Sequence, residues 1–318
     1  RKNYAGAKEY IKKIYNELEV PLNQVFIVPG NHDVDRSIYK RDKAIKKTSF
    51  FHPLSGMQYG NYSSSEGTIN DHNLKMISSG LATFNSFIEE FYSDSDPTRI
   101  KLYENYRKPH FLIKTKDFNI LHINSTLVYT KYQERHELIL GTWFLKEVLK
   151  EMDTNLPTII LSHFPITSLT QDEQKNVLSL LRDKKIRLWL CGHEHDHILK
   201  QFSDIYSVQA GELKQEENTN ATVLVGEFNS ENGTGFIKAH TWFPEGWGIY
   251  PVISSNYDST RKRSEFLFRL ESEQARRRVQ TQVQEKYVNK LFSGLNPWGE
   301  EFSIRIINYE DRTLVWEW

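Results

Sequence analysis

Three polar clusters along the sequence each follow an apolar run, and the first of them is VPGNHDVD at residues 28–35. The run VFIV leads into a Pro-Gly turn, after which Asn31, His32 and Asp33 stand side by side. Asn, Asp and Gly are common turn residues, so this stretch taken alone is equally compatible with a solvated turn. The alternative is that an amide, an imidazole and a carboxylate are placed together for chemistry.

Histidines occupy the corresponding place after two later apolar runs. His163 follows TIILS, and His193 and His195 follow LWLCG. Residues two apart in an extended segment point to the same side, so His193 and His195 would present both imidazoles together, and Gly192 would let the backbone approach closely. A lone histidine at a strand end is usually a surface or core residue. Three such strand ends in one chain indicate a shared site, because ligands gather at the carboxyl ends of strands in α/β sheets.

The donor types narrow the chemistry of this shared site. Imidazole nitrogen and amide oxygen without thiolate suit Mn, Fe, Zn, Co or Ni, rather than an iron–sulfur cluster or a structural zinc site. Cys191, the single cysteine, precedes Gly192 at the end of an apolar run, and we interpret it as a core residue. The sequence therefore predicts a metal centre at one edge of a sheet.

Composition excludes several classes of protein. Lys plus Arg and Asp plus Glu both number 41, and this balance argues against a dedicated nucleic-acid binder, which is usually basic on at least one face. One cysteine excludes an internal disulfide and gives no sign of a secreted disulfide scaffold. No apolar run approaches the roughly 18 residues that a membrane span requires. We therefore expect a cytoplasmic protein with no membrane partner.

The alternation of helix and strand patterns through residue 190 predicts a layered α/β core. Helices are predicted at 5–19, 80–92, 138–152 and 171–183. Apart from the helix at 80–92, the stretch from 36 to 110 is predicted to be irregular. Strands are predicted at 24–28, as a pair within 110–125 with its turn at Lys116 and Asp117, at 157–163 and from 186, and then near 196–202, 204–209, 221–228, 234–243 and 264–270. The strands after residue 195 predict a second sheet packed on the first.

The last segment differs from the rest of the chain. Residues 271–292 read as a polar, charged helix, and FSIRIINYEDRTLVWEW reads as a hairpin with its turn near Glu310 and Asp311. We therefore predict one domain over 1–270 and an appendage, or the start of a further domain, over 271–318. Leu314, Trp316 and Trp318 alternate and would share one face of a strand. This face would either pack on the core or serve a protein partner or self-association.

The motifs Gly-Asn-His-Asp, Ser-His-x-Pro and Gly-His-x-His, in this order and each after a strand, resemble those of the calcineurin-like metallophosphoesterases, in particular the cyclic-nucleotide-phosphodiesterase-like branch. The resemblance extends over about residues 5–245 and includes LHINSTLVYT and ELILGTWFLKEVLK between the first two motifs. It implies a four-layer α/β/β/α sandwich and a site with two metal ions, each of them Mn, Fe or Zn.

Carried over residue by residue, the resemblance implies four metal ligands in this chain. Asn31, through its side-chain oxygen, would bind the second metal together with His163 and His193. His195 would bind the first metal.

The same resemblance implies that His32 binds no metal. It would lie over the scissile phosphate and stabilise or protonate the leaving oxygen, while Asp33 would support the turn or the ligands from outside. Two cations holding a bridging hydroxide would clamp the phosphate for in-line attack, and an imidazole of near-neutral pKa would assist the departing alkoxide.

Two further motifs of the family pattern, Asp-x-His and Gly-Asp-x-x-Asp, stand upstream of Gly-Asn-His-Asp and supply further metal ligands. Only 30 residues precede Asn31 here, and RKNYAGAKEYIKKIYNELEV contains no Asp and no His. We expect the two motifs and their strands to lie upstream of Arg1, which would make this a fold incomplete at its N-terminus, because every later motif is intact. The alternative is a natural protein with an incomplete site.

Three functions follow as hypotheses. The first is a metal-dependent phosphoesterase acting on a phosphodiester, such as a cyclic nucleotide or nucleic acid. The second is a nuclease of the same superfamily, against which the charge balance weighs. The third is a metallophosphoesterase-like scaffold that binds a partner, with 271–318 as its interface.

Overall fold

The computed structural model of the chain describes residues 2–35, 37, 71–127, 129, 138–194, 198–211, 221–230, 232–243, 246–249, 265–273, 277, 291–295, 301–310 and 313–317. The helices are α1 (Lys2–Glu17), α2 (Asp71–Ser78), α3 (Ala82–Tyr92), α4 (Pro97–Glu104), α5 (Thr142–Leu149) and α6 (Gln171–Asp183). The first strands are β1 (Phe111–Lys114), β2 (Asn119–Ile123), β3 (Thr158–Ser162), β4 (Leu188–Cys191), β5 (Ile198–Phe202) and β6 (Ile205–Gln209). They are followed by β7 (Thr222–Asn229), β8 (Thr234–Phe243), β9 (Gly246–Ile249), β10 (Phe266–Arg269), β11 (Leu291–Leu295), β12 (Glu301–Glu310) and β13 (Thr313–Glu317).

Six strands form the first sheet, in the order β1-β2-β3-β4-β6-β5. β2, β3, β4 and β6 run parallel, whereas β1 and β5 pair antiparallel at the two edges. The register places Leu161 of β3 opposite Leu190 of β4. Two residues further along, the Gly192 amide donates to the His163 carbonyl at 2.9 Å. The segments that follow β3 and β4 therefore meet at one edge of the sheet.

Helices α5 and α6 cover one face of this sheet. The core between them and the strands contains Leu121, Ile123, Leu145, Val148, Leu149, Ile160, Val177, Leu178, Leu181 and Trp189. Glu173, fully buried in α6, joins the two helices, because its carboxylate accepts hydrogen bonds from the amides of Leu140 and Gly141 and from the Thr142 hydroxyl. Burial raises the pKa of Glu173, and these hydrogen bonds act in the opposite direction.

The second sheet packs on the other face of the first. Its order is β10-β8-β7, with β9 paired to β8. Leu188 and Val208 of the first sheet meet Ile237, Ala239 and Phe266 of the second in a common core. The predicted second sheet is thus confirmed for the strands near 221–228, 234–243 and 264–270. The strands predicted near 196–202 and 204–209 are instead β5 and β6 of the first sheet.

A second group of helices, α1, α3 and α4, surrounds an aromatic cluster. Its buried members are Val34, Leu81, Phe84, Phe87, Ile88, Phe91 and Tyr92. Leu22, Val25 and Ile27 pack against the cluster from the segment that precedes the first motif. Two sheets and two groups of helices are the components of the predicted α/β/β/α sandwich. Within the described part of the chain, no helix has the length and apolar character that crossing a bilayer would require.

The strand predicted at 24–28 is wrong. Gln24 ends a short 3-10 turn, and the residues after it pair with no strand among the described residues. Side chains take the place of a neighbouring strand, because the Val25 carbonyl accepts from the Tyr92 hydroxyl at 2.7 Å and from the Arg99 guanidinium at 2.5 Å. The Ile27 carbonyl accepts from the Tyr103 hydroxyl.

Helices α2 and α4 are absent from the sequence prediction, which treated most of 36–110 as irregular. The start of α4 does carry a local signal. Asp96 caps the helix by accepting from the Arg99 amide at 3.2 Å, and Pro97 occupies the first turn, where its missing N–H costs nothing.

The C-terminal segment forms a three-stranded sheet in the order β11-β12-β13. The predicted hairpin is confirmed, with Glu310 opposite Thr313 across its turn. The helix predicted over 271–292 is wrong at its end, because Leu291 and Phe292 belong to β11 and pair with β12. The domain boundary at 270 and the role of 271–318 in association stay predictions, and the side chain of Trp318 lies outside the described residues.

Two histidines are buried beside the first sheet. His110 is 1% exposed and His122 is 2% exposed. The His122 ring stacks on Phe111 with centroids 4.7 Å apart, and neither of its nitrogens meets a hydrogen-bond partner among the described residues. Burial lowers the pKa of His110 to about 4 and, with a smaller effect from Arg99, the pKa of His122 to about 3.

We expect the free energy of unfolding to fall as the pH is lowered from 7 to 5. In this window the unfolded chain takes up a proton on both histidines, near their usual pKa of about 6.5, while the folded chain keeps them neutral. The unfolded state binds more protons, so each histidine removes about 2 kcal/mol of stability at pH 5. Urea unfolding followed by tryptophan fluorescence at pH 7, 6 and 5 measures the loss.

The matched variant is His122→Phe, which keeps an aromatic ring against Phe111 and removes both unpartnered nitrogens. Its loss of stability between pH 7 and 5 should be about 2 kcal/mol smaller than that of the parent. Equal losses in the two proteins would contradict the assignment of a buried, neutral His122.

Candidate metal centre

Three predicted ligands converge at the edge of the first sheet. The side-chain oxygen Oδ1 of Asn31 lies 3.0 Å from Nε2 of His163. The same Nε2 lies 3.3 Å from Nδ1 of His193. The chain thus brings together one amide oxygen and two imidazole nitrogens from residues 31, 163 and 193, as the motifs predict.

These distances fit a shared metal ion. Two donor atoms held about 2.1 Å from one ion, at angles of about 90–109°, lie about 3.0–3.4 Å apart. Both measured separations fall in that range. The donor set and its spacing therefore fit Mn, Fe, Zn, Co or Ni.

His163 is positioned by the backbone of the first motif. A Cβ atom added at Gly30 would lie 3.0–3.4 Å from three atoms of the His163 ring, so the missing side chain leaves room for the imidazole to reach Asn31. Protein atoms do not require a glycine at position 192, and the close approach expected there to a bound group stays a prediction. A Cβ atom there would meet only the His163 carbonyl oxygen, at an ordinary 4.0 Å.

His193 has a left-handed backbone, with φ of 84°. A non-glycine residue in this region carries a conformational cost, which the packing around it must offset. Its ring lies against Phe164 with centroids 4.1 Å apart and approaches His163 with centroids 5.2 Å apart. The strained backbone therefore aims the imidazole at the other two donors.

The turn that carries Asn31 and His32 is held by Asp33. One carboxylate oxygen accepts from the Gly30 amide at 2.7 Å, and the other accepts from the Tyr4 hydroxyl at 2.6 Å. Asp33 thus supports the turn from outside the donor set, as predicted. Asn31 is 8% exposed, whereas His32 is exposed to solvent.

Tyr4 is a contributor to the site that sequence reasoning missed. It lies on α1, with its ring stacked on Phe87 at a centroid distance of 5.1 Å. Burial, followed by the hydrogen bond to Asp33, raises the pKa of Tyr4 above its usual value, so the phenol remains a donor at neutral pH. The tyrosine and Asp33 are 29 residues apart, and no local pattern links them.

His110 is a second residue that sequence reasoning missed. Its Nδ1 accepts from the Asn124 amide at 3.2 Å, which leaves Nε2–H to donate to the Leu140 carbonyl at 3.0 Å. This bridge fixes the segment after β2 to the segment before α5. Since β2 is parallel to β3, Asn124 follows its strand at the same edge as His163.

The other candidate residues have separate outcomes. His195 lies outside the described residues, so its ligand role stays a prediction. Within the described ranges, no three His, Cys, Asp or Glu side chains are grouped to hold a metal ion, and the cluster found here relies on an asparagine. Cys191 is 7% exposed in the core beside α5 and α6, and burial raises the pKa of its thiol to about 12, in agreement with its interpretation as a core residue.

Comparison with solved structures gives low similarity. Wild-type Vps29 of Entamoeba histolytica, complexed with zinc, has a TM-score of 0.25 and 13% sequence identity, with 44% of this chain and 58% of that chain covered. GAP50, the anchor in the inner membrane complex of Plasmodium, has a TM-score of 0.25 and 13% identity, with 54% of this chain and 56% of that chain covered.

Sequence comparison gives a relative and a family. The uncharacterized metallophosphoesterase-like protein YydB of Bacillus subtilis (strain 168) is 22% identical over 268 residues, or 81% of this chain and 51% of that protein. The chain therefore spans about half the length of this relative. A family model described as calcineurin-like phosphoesterase matches residues 3–197, which include the Gly-Asn-His-Asp, Ser-His-x-Pro and Gly-His-x-His motifs. The chain belongs to the calcineurin-like phosphoesterase family.

Proposed function

We propose that this chain is the part of a metal-dependent phosphodiesterase that supplies one half of a two-metal site and the acid for the leaving group. The observation that supports the proposal is the convergence on Nε2 of His163, which lies 3.0 Å from Oδ1 of Asn31 and 3.3 Å from Nδ1 of His193. Membership of a phosphoesterase family gives the reaction class. The diester preference and the second metal ion come from the resemblance of the motifs.

The residues divide into two roles. Asn31, His163 and His193 hold one metal ion, and His195 contributes to the other. Bound ions would supply positive charge that lowers the pKa of a water molecule and offsets charge on the phosphate. Mn, Fe or Zn are the ions we propose, since nitrogen and oxygen donors suit all three.

His32 performs the proton transfer. It follows a metal ligand directly in sequence, yet its own ring is exposed and stands outside the converging donors. An imidazole in this place can approach a phosphoester bound at the metals and donate a proton to the departing oxygen. The exposed ring is also reachable by solvent, which returns the proton after each turnover.

The test is hydrolysis by the full-length protein, dialysed against EDTA and then reloaded with Mn²⁺. We expect no turnover after dialysis and restored turnover with Mn²⁺, faster on bis-p-nitrophenyl phosphate than on p-nitrophenyl phosphate. A faster monoester reaction would contradict the diester preference. Degradation of single- or double-stranded DNA at low salt would instead assign the nuclease alternative. Tight metal binding with no hydrolysis of any substrate would favour a binding module.

A further inference from the structure

We propose that Tyr4 is a positioning residue for the metal site, which acts through Asp33 on Asn31 and His32. The inference rests on the proposed function for its catalytic consequence, but its metal-binding consequence stands apart from turnover. The proposal is based on the contacts of Tyr4 in α1 with Asp33 in the first motif, and of Asp33 with Gly30.

Asp33 connects helix α1 to the turn that carries Asn31 and His32. Asp33 has two carboxylate oxygens, and each accepts one short hydrogen bond, from the Gly30 amide at 2.7 Å and from the Tyr4 hydroxyl at 2.6 Å. The Asp33 amide returns a hydrogen bond to the Gly30 carbonyl at 3.0 Å. Bonds to a carboxylate are stronger than bonds between neutral groups, so Tyr4 anchors a closed loop of residues 30–33.

The loop of residues 30–33 carries a proposed metal ligand and the proposed acid. Asn31 and His32 are the two residues enclosed between Gly30 and Asp33. The Gly30 backbone also lies against the His163 ring, so closely that a Cβ atom at Gly30 would come within 3.0–3.4 Å of three ring atoms. A shift of the loop therefore moves Asn31 and the backbone beside His163 together, which changes the 3.0 Å separation of the two donors.

Tyr4 is itself held in place by the helices around it. Tyr4 is stacked on Phe87 of α3 with centroids 5.1 Å apart and an interplanar angle of 21°. The phenol therefore cannot follow the turn freely. Two residues after Asp33, the Asp35 amide donates to the Gly80 carbonyl at 2.8 Å. The C-terminal end of the turn is thus tied to the helical group at Asp33 and at Asp35, and Tyr4 provides the side-chain tie.

The experiment uses the Tyr4→Phe variant of the full-length protein, which keeps the ring on Phe87 and removes only the hydroxyl. Tyr10→Phe is the control, because Tyr10 lies on the same helix and is 51% exposed. Affinity is measured by titration with Co²⁺ alone, followed by visible absorption. We expect Tyr4→Phe to weaken Co²⁺ binding about tenfold, in the range for residues that support metal ligands, and Tyr10→Phe to leave it unchanged.

A double-mutant cycle separates positioning from general stabilisation. Asp33→Ala removes both acceptors, of the Gly30 amide and of the Tyr4 hydroxyl, so we expect a loss of about 10- to 100-fold. Adding Tyr4→Phe to Asp33→Ala should cost little more, because both act through one connection. The proposal would be overturned if the losses of Co²⁺ affinity in the two single variants multiplied in the double variant, or if Tyr4→Phe left the Co²⁺ affinity unchanged. A parent that binds Co²⁺ but hydrolyses nothing would overturn the proposed function alone.

Discussion

Replacing both His163 and His193 by alanine should abolish binding of the metal ion that these histidines share with Asn31 and, with it, phosphoester hydrolysis. The two imidazoles supply two of the three converging donors, and Asn31 alone offers a single neutral oxygen. We expect the Co²⁺ absorption spectrum of the full-length double variant to lose the bands that arise from these donors. Turnover of bis-p-nitrophenyl phosphate should fall by at least about a thousandfold, because the charge that stabilises the reacting phosphate is lost.

His240→Ala is the control for this experiment, since His240 lies on β8 in the second sheet. It should bind Co²⁺ and hydrolyse the diester as the parent does. Circular dichroism establishes that the double variant remains folded, which we expect because both histidines stand at a strand edge rather than in the buried core. Full activity in the double variant would rule out the metal assignment.

The His32→Ala variant should show the opposite combination, with metal bound and turnover lost. His32 stands outside the converging donors, so the Co²⁺ affinity should match that of the parent. Loss of a general acid lowers kcat by about 10²- to 10⁴-fold. KM should change little, because the proton is transferred only as the bond breaks.

The leaving group distinguishes an acid from a residue that merely fills space. Phenolate is more basic than p-nitrophenolate and depends more on protonation as it departs. His32→Ala should therefore lose more activity on diphenyl phosphate than on bis-p-nitrophenyl phosphate. Equal losses on both substrates would argue that His32 does not protonate the leaving oxygen, and weaker Co²⁺ binding would place it among the ligands instead.

Much of this architecture could be predicted from local patterns. α6 occupies the predicted residues 171–183, because Thr170 caps its first turn and its apolar residues recur at helical spacing. The parallel strands also occupy the predicted runs, and their ends led directly to His163 and His193, whereas Asn31 follows an apolar run that forms no strand. These features depend on residues close together in sequence, where spacing alone carries the information.

The features that sequence reasoning missed depend on distant residues. The apolar run at 25–28 has strand composition, yet its carbonyl groups are taken by Tyr92, Arg99 and Tyr103, which lie 67 to 76 residues away. The glycine that leaves room for the His163 ring is Gly30, 133 positions before it, and no local pattern links the two. Pairings over such separations are set by tertiary packing, and propensity does not encode them.

The side-chain attachment of residues 25–28 divides the metal site into two parts with different supports. His163 and His193 follow strands that are hydrogen-bonded to each other in parallel. Asn31, in contrast, follows a segment that is held by hydrogen bonds from phenol and guanidinium groups of α3 and α4. The position of Asn31 relative to the two histidines therefore depends on how well the aromatic cluster is packed. A cavity opened in that cluster would make Asn31 more mobile while His163 and His193 stayed fixed. Metal affinity would therefore decline before the sheet itself began to unfold.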